Sequence, residues 1–146
     1  MLTCYSRYSE LDIQQILAIY AQARRRDYYD DSDFLEDISL FFRGSGSALW
    51  TWTEQGTPVA AVRTEPYKDG YLISCLETAP QQRRRGFGRK LLLALLAKQS
   101  GIYYAHVDKR NHPSLALHKD VGFAVWLDHA VHVDGSVSAG SYTLRR

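Results

Sequence analysis

Three consecutive runs in the middle of the chain, Ala48 to Thr53, Pro58 to Thr64 and Tyr71 to Thr78, are rich in apolar, aromatic and β-branched residues and read as strands. Gln55-Gly56 and Asp69-Gly70 fit the turns between them, so the three are expected to be antiparallel neighbours. Ahead of them the pattern is helical. Leu11, Ile13, Ile16, Leu17, Ile19 and Tyr20 recur at helical spacing and run into Arg24-Arg25-Arg26. Asp30 to Asp33 supply N-cap chemistry for a second helix carrying Phe34, Leu35, Ile38, Phe41 and Phe42, stopped by Gly44-Ser45-Gly46. Leu2 to Tyr8 reads as an opening strand. Behind the central strands, Leu91 to Leu96 forms an apolar helical run capped by Gly101, and Ile102 to Asp108 reads as a strand. Pro113 opens a short helix through Asp120, which Gly122-Phe123 ends, and strands from Phe123 to Leu127 and Ser141 to Arg145 close the chain. The order β-α-α-β-β-β-α-β-α-β-β predicts a mixed α/β fold.

Composition narrows the classes. The 146 residues fit one domain, spanning 1–146, and 45% hydrophobic residues can bury a real core. A formal net charge of +2 is too small to imply a nucleic-acid partner. No apolar run reaches the ~18 residues of a membrane span, and Met1 to Tyr5 lacks the basic start and apolar stretch of a signal peptide. Cys4 and Cys75 stand far apart in apolar contexts. Buried free thiols are expected rather than a disulfide, and with them a cytoplasmic setting.

One segment carries chemistry of its own. Arg83-Arg84-Arg85-Gly86-Phe87-Gly88-Arg89-Lys90 stands between a predicted strand and the Leu91 to Leu96 helix. A glycine loop feeding a helix N-terminus aims backbone N–H groups at one spot, and the helix dipole adds roughly half a positive charge there. Gly86 and Gly88 let an anion approach the backbone without a Cβ in the way. A phosphate or pyrophosphate is the ligand this suits, against the plainer reading of a basic, solvated helix start. A P-loop would need Gly-x-x-x-x-Gly-Lys-Ser/Thr, and Leu91 follows Lys90 here; Leu91 also breaks the dinucleotide pattern Gly-x-Gly-x-x-Gly.

Downstream stands Asn111-His112-Pro113-Ser114-Leu115-Ala116-Leu117-His118-Lys119-Asp120-Val121-Gly122-Phe123. Together the two segments resemble the GCN5-related N-acetyltransferase (GNAT) superfamily. Arg83, Gly86 and Gly88 match its Arg/Gln-x-x-Gly-x-Gly/Ala loop. Asn111, Ser114, Gly122 and Phe123 match Asn-x-x-Ala/Ser-x-x-x-Tyr-x-x-x-Gly-Phe in register. The resemblance implies a mostly antiparallel sheet flanked by helices, in the element order read above, and acetyl-CoA as co-substrate. It implies that Leu76, Glu77 and Thr78 pair their backbone with the pantetheine arm. Backbone N–H groups from Arg84, Arg85, Gly86, Phe87, Gly88 and Arg89 would hold the pyrophosphate, with Arg83 beside them, and Asn111 would contact the arm near the thioester. Among Arg84, Arg85, Arg89 and Lys90 it does not choose a partner for the adenosine 3′-phosphate.

The chain departs from the family pattern at His118, where the usual residue is a tyrosine that protonates the leaving thiolate. An imidazolium of pKa ~6.5 is a stronger acid than a thiol of ~8.5, so the transfer is downhill by roughly 2–3 kcal/mol. A neutral histidine could also donate an N–H to the sulfur. The general base is His106, which stands where members resembling ribosomal-protein N-acetyltransferases carry a glutamate, or Glu77. Strand alternation places Glu77 on one face with Cys75 and Ile73. The acceptor is a small-molecule amine, with a protein or peptide amine as the second class and a non-catalytic acetyl-CoA-binding module as the rival. The pocket for it would draw on Asp27, Tyr28, Tyr29, Asp30, Asp31, Trp126 and Tyr142, where carboxylates and aromatics suit a cation. Trp50 and Trp52 read as core. The spacing of His106, His112 and His118 and the pair His129 and His132 make no recognised ligand set, so no metal is expected. Neither nucleic acid nor membrane is an expected partner, and a homodimer is left open.

Overall fold

The computed structural model describes residues 1–27 and 30–146. Tyr28 and Tyr29, two of the expected acceptor residues, lie outside the described residues. Seven strands form one sheet in the order β1-β2-β3-β4-β5-β9-β6: β1 Leu2–Tyr5, β2 Ala48–Glu54, β3 Thr57–Tyr67, β4 Gly70–Thr78, β5 Tyr103–Asp108, β9 Ser141–Arg145 and β6 Ala124–Leu127. Every neighbouring pair is antiparallel except β4 with β5, which is parallel. A short hairpin, β7 Ala130–Val131 with β8 Val137–Ser138, stands apart, where no strand was expected.

Helices cover both faces. The α4 helix (Phe87–Lys98) lays Leu91, Leu92 and Leu95 on Trp50, Val62, Ile73 and Tyr103, and Val121 and Phe123 close that layer beyond α5 (His112–Asp120). On the other face, Ile16, Leu17 and Ile19 of α1 (Ile13–Ile19) and Phe34 and Ile38 of α3 (Asp31–Phe42) pack on Leu49 and Ala61. Asp30 caps α3 as expected, its Oδ1 accepting from Asp33 N at 2.8 Å. The first helix is not continuous: it breaks at Tyr20, and α2 (Ala21–Arg26) carries the arginine run. Likewise β1 stops at Tyr5, where Glu10 accepts from Ser6 N at 3.1 Å and holds a tight turn over Tyr8–Glu10.

Two local departures from the sequence reading shape the centre of the sheet. The β3–β4 turn is Lys68-Asp69, since Gly70 already pairs with Tyr67. Gly70 serves close approach instead: a Cβ there would lie 1.9 Å from the Ile102 carbonyl oxygen, the group that accepts from Tyr71 N at 2.9 Å. Further on, Arg63 faces Ser74 while Ala61 faces Glu77, so β4 carries one extra residue opposite Val62. Cys75 takes up this bulge with φ of 53°. The bulge inverts the alternation. Leu76 joins Ile73 on the α4 face, and Glu77 turns to the α1–α3 face with Ala61, opposite to the face shared with Ile73 that plain alternation gives. The thiols differ too: Cys4 and Cys75 are unpaired as expected, but both are exposed rather than buried.

Candidate functional site

The parallel pair β4–β5 is in register only from Tyr71 to Ile73 against Tyr103 to Ala105. Beyond that the strands part around a cleft of about 740 Å³, walled by Ser74 to Glu77 on one side, His106 to Asp108 on the other, and Asn111, Ser114 and His118 from α5. The β4 edge from Ser74 to Thr78 therefore has no β5 partner. A second cavity of about 370 Å³ shares Leu76, Glu77, Asn111 and Ser114 with the cleft. It shares Thr78, Arg83, Gly88 and Leu117 with a third, of about 630 Å³, at the glycine loop. The three make one trough from the N-terminus of α4 to the two histidines.

At the loop end, Gly86 is the N-cap of α4 in the left-handed region, φ 77°, and no side chain caps the helix. The first helical bond runs from Lys90 N to Gly86 O at 3.0 Å, which leaves the N–H groups of Phe87, Gly88 and Arg89 without helical acceptors. Gly88 sits where a Cβ would meet Thr78 Oγ1 at 3.7 Å and Leu117 at 3.9 Å, on the trough lining. Three of the arginines are engaged: Arg83 with Glu77 at 2.7 Å, Arg85 with Gln82 at 2.6 Å, and Arg89 with Asp120. Arg84, itself at φ 62°, stands without such a partner among the described residues. Asn111 caps α5, its Oδ1 accepting from Ser114 N at 3.2 Å, so its amide Nδ2 is left for a ligand.

At the other end, the cleft holds two histidines in different states. His118 is buried, edge-on to Phe123, with Nδ1 2.7 Å from the Ser114 carbonyl oxygen. A carbonyl only accepts, so Nδ1 carries the proton and Nε2 of the neutral ring is a lone pair. Burial pushes its pKa below the usual histidine value, against the pull of that carbonyl. Donation of an N–H from the neutral ring to a sulfur, allowed by sequence, does not fit this tautomer; only the imidazolium can donate from Nε2.

His106 packs edge-to-face on Tyr67 and on His132, which the β7–β8 hairpin brings over it. Its Nε2 is buried without a hydrogen-bond partner, so the nitrogen that meets the cleft is Nδ1. Burial first, and His132 second, hold its pKa below the usual value. Glu77 is occupied differently. Its Oε2 lies 2.7 Å from Arg83 and its Oε1 3.5 Å from Arg26.

The other expected residues scatter. Asp30 is a helix cap, Asp31 pairs with Arg24, and Asp27 pairs with Arg26 at 3.2 Å. Trp126 is exposed beside Lys68 and Arg145, and Tyr142 lies under Lys109. Trp50 is core, its Nε1 donating to Thr64 at 2.9 Å. His129 pairs with Asp128 and His132 with Ser138. Among the described residues no group of three or more His, Cys, Asp or Glu is placed to hold a metal, and no helix is long and apolar enough to cross a membrane.

Sequence reasoning passed over Arg63. It stands on β3 directly opposite Ser74, almost fully buried, with Nη1 3.1 Å from Asp37 and its guanidinium 5.1 Å from the Phe41 ring. Burial works against its charge, but Cys75, Tyr20 and Asp37 more than offset this and its pKa rises. The signal was a charge placed directly after the apolar run Val59-Ala60-Ala61-Val62, still within the expected strand.

Comparison with known proteins places this geometry. A family model described as "Acetyltransferase (GNAT) family" matches residues 11–123. No curated protein matches the chain. Among solved structures, an aminoglycoside 6′-N-acetyltransferase complexed with coenzyme A is similar with a TM-score of 0.74 at 13% identity, covering 100% of this chain and 96% of that one. A ribosomal-protein-alanine N-acetyltransferase from Brucella melitensis is similar with a TM-score of 0.70 at 19% identity, covering 100% and 98%. A PaiA N-acetyltransferase from Thermoplasma acidophilum in complex with coenzyme A has a TM-score of 0.63 at 13% identity, covering 100% and 98%.

Proposed function

Because the chain belongs to the GNAT family of acetyltransferases, for which acetyl-CoA is the co-substrate and N-acetylation the chemistry, we propose that it acetylates the primary amine of a small molecule by direct attack on the thioester. The observation that carries this reading is the trough that joins an uncapped helix N-terminus to a cleft holding two neutral histidines. In this reading the unpaired edge of Leu76, Glu77 and Thr78 receives the pantetheine arm as an added strand. The N–H groups from Arg84 to Arg89 take the pyrophosphate, Arg83 stands beside them, and Asn111 Nδ2 reaches the arm. A side recess of about 240 Å³ between α2, α3 and the sheet favours a small acceptor over a peptide.

His106 is the base, since its ring is held neutral and Glu77 has both oxygens on arginines. The ammonium gives its proton to His106 Nδ1, directly or through a water. The freed nitrogen attacks the carbonyl; a C–N bond forms and the π pair moves to oxygen. On collapse the C–S bond breaks. The nitrogen's second proton loads onto His118 Nε2 and passes to the thiolate, downhill by roughly 2–3 kcal/mol from an imidazolium to a thiol. The exposed, unpaired thiols of Cys4 and Cys75 fit a reducing compartment, and the cytoplasm is the setting in this reading.

Thiol release from acetyl-CoA, measured against amino acids, polyamines, aminoglycosides and peptide N-termini, tests the proposal. His106→Gln should lower kcat by about 10²-fold with acetyl-CoA affinity unchanged. Unchanged turnover in that variant removes His106 from the chemistry. Acetyl-CoA binding with no turnover on any amine leaves a binding module in place of an enzyme.

A further inference from the structure

A recess of about 240 Å³ opens off the cleft where Arg26, Cys75 and Glu77 border both cavities. Arg63 enters it from β3 with a side chain only 8% exposed. Of its five N–H donors, Nη1 meets Asp37 at 3.1 Å, and Nε has no partner. Arg24, on the same wall, also has a buried Nε without a partner. A buried donor left unmet is costly, so two such groups on side chains that line one recess favour an acceptor there. The acids of the region have no matching need. Asp31 is paired with Arg24, Asp27 with Arg26, and Glu77 with Arg83 and Arg26. The acids that line the recess are thus all taken up by arginines, while Arg63 keeps N–H donors to spare for an anion. Its position is equally specific. Arg63 lies opposite Ser74, the residue before the Cys75 bulge, where β4 leaves its neighbour and the cleft begins.

We propose that the acceptor amine carries a carboxylate that seats on Arg63 in this recess, which makes the substrate an amino acid rather than a polyamine or an aminoglycoside. The inference rests on the acetyl-transfer reading above, and it deepens that reading by naming the acceptor class. A guanidinium presents a planar fork that matches a carboxylate, and an acceptor lacking the anion leaves the buried donors unmet.

The test compares each proteinogenic amino acid, β-alanine and 4-aminobutyrate with its own amide, by thiol release and by calorimetric titration of the protein's complex with CoA. Selected aminophosphonates form a third arm. The best amino acid should exceed its amide by at least about 30-fold in kcat/KM, and Arg63→Met should shrink that ratio below about 3-fold while CoA affinity is kept. Arg63→Lys should fall between them. If Arg63→Met does not fold, the acid–amide ratio of the unaltered protein still decides. Equal use of acid and amide, or preference for a polyamine, overturns the inference and leaves acetyl transfer standing. Preference for the phosphonate overturns the carboxylate assignment. Arg63-dependent binding of an amino acid with no transfer to any amine keeps the anion site and sinks the acetyl-transfer reading.

Discussion

His106 and His118 meet the same cleft through opposite ring nitrogens, and that difference follows from single contacts. The Ser114 carbonyl claims Nδ1 of His118 and exposes Nε2; burial of Nε2 in His106 exposes Nδ1. Both rings have pKa values held below 6.5, chiefly by burial. For catalysis, His106 must be neutral to act as base. The rate ratio of the unaltered protein to His106→Gln should therefore grow as pH rises through the lowered pKa and level off above about 6.5. A ratio independent of pH between 5 and 8 would contradict the assignment. For stability the sign is the same. A depressed pKa in the fold means the unfolded chain binds more protons, so this contribution is complete above the unfolded value of about 6.5 and is lost as pH falls toward the folded values. Melting temperatures at pH 7.5, 6.5 and 5.5 should fall in that order, and His118→Gln should flatten the fall.

The element that makes the site is β4, and its two special residues do different work. Gly70 brings β4 against the chain entering β5, where a Cβ would stand 1.9 Å from a backbone oxygen and 2.7 Å from its carbon. Gly70→Ala should cost more than about 3 kcal/mol, since backbone on both sides must move, and urea titration would measure it. Cys75 sits at positive φ for the sake of the bulge. Cys75→Gly should stabilise the fold by about 1 kcal/mol, because glycine meets no steric penalty there, and Cys75→Val should destabilise it; a loss of stability with glycine would refute the strain argument. These residues also mark where the sequence stopped being legible. Short apolar runs between turn residues identified β2, β3 and β4 and their antiparallel pairing, because strands covered on both faces are apolar on both. Alternation could not reveal the extra residue at Cys75, since a bulge changes no residue type, and so it put Glu77 on the wrong face. Asp69-Gly70 looked like a turn because glycine signals a turn and a close approach alike. The glycine loop feeding the N-terminus of α4 was readable because its geometry is local. Arg63 was not, because its role depends on Asp37, Cys75 and Arg24 meeting across three elements.

Across the whole molecule the two faces of the sheet divide the labour. The α4 face carries the larger apolar cluster and the helix whose N-terminus forms one end of the trough. The α1–α3 face carries the side recess, with Arg63 and Glu77 turned toward it. The trough itself crosses from one to the other through the gap between β4 and β5, the single parallel junction in the sheet and one paired over only three residues on each strand. A ligand lying there touches β4, α4 and α5 at once and fills the edge that β5 leaves open. It should therefore tie the two halves of the sheet together rather than stiffen one loop. Bound CoA at 100 times its dissociation constant adds about 2.7 kcal/mol by mass action. At roughly 2–4 °C per kcal/mol for a chain near this size, that is a rise of about 5–11 °C in Tm. The rise should come with slowed amide exchange at residues 74–78 and 84–90 together. Gly88→Val, whose side chain would enter the trough between Thr78 and Leu117, should lose most of the CoA-induced rise while its own Tm without CoA changes little. Protection confined to residues 84–90, with 74–78 exchanging as before, would mean that the phosphates bind but the arm does not pair with β4.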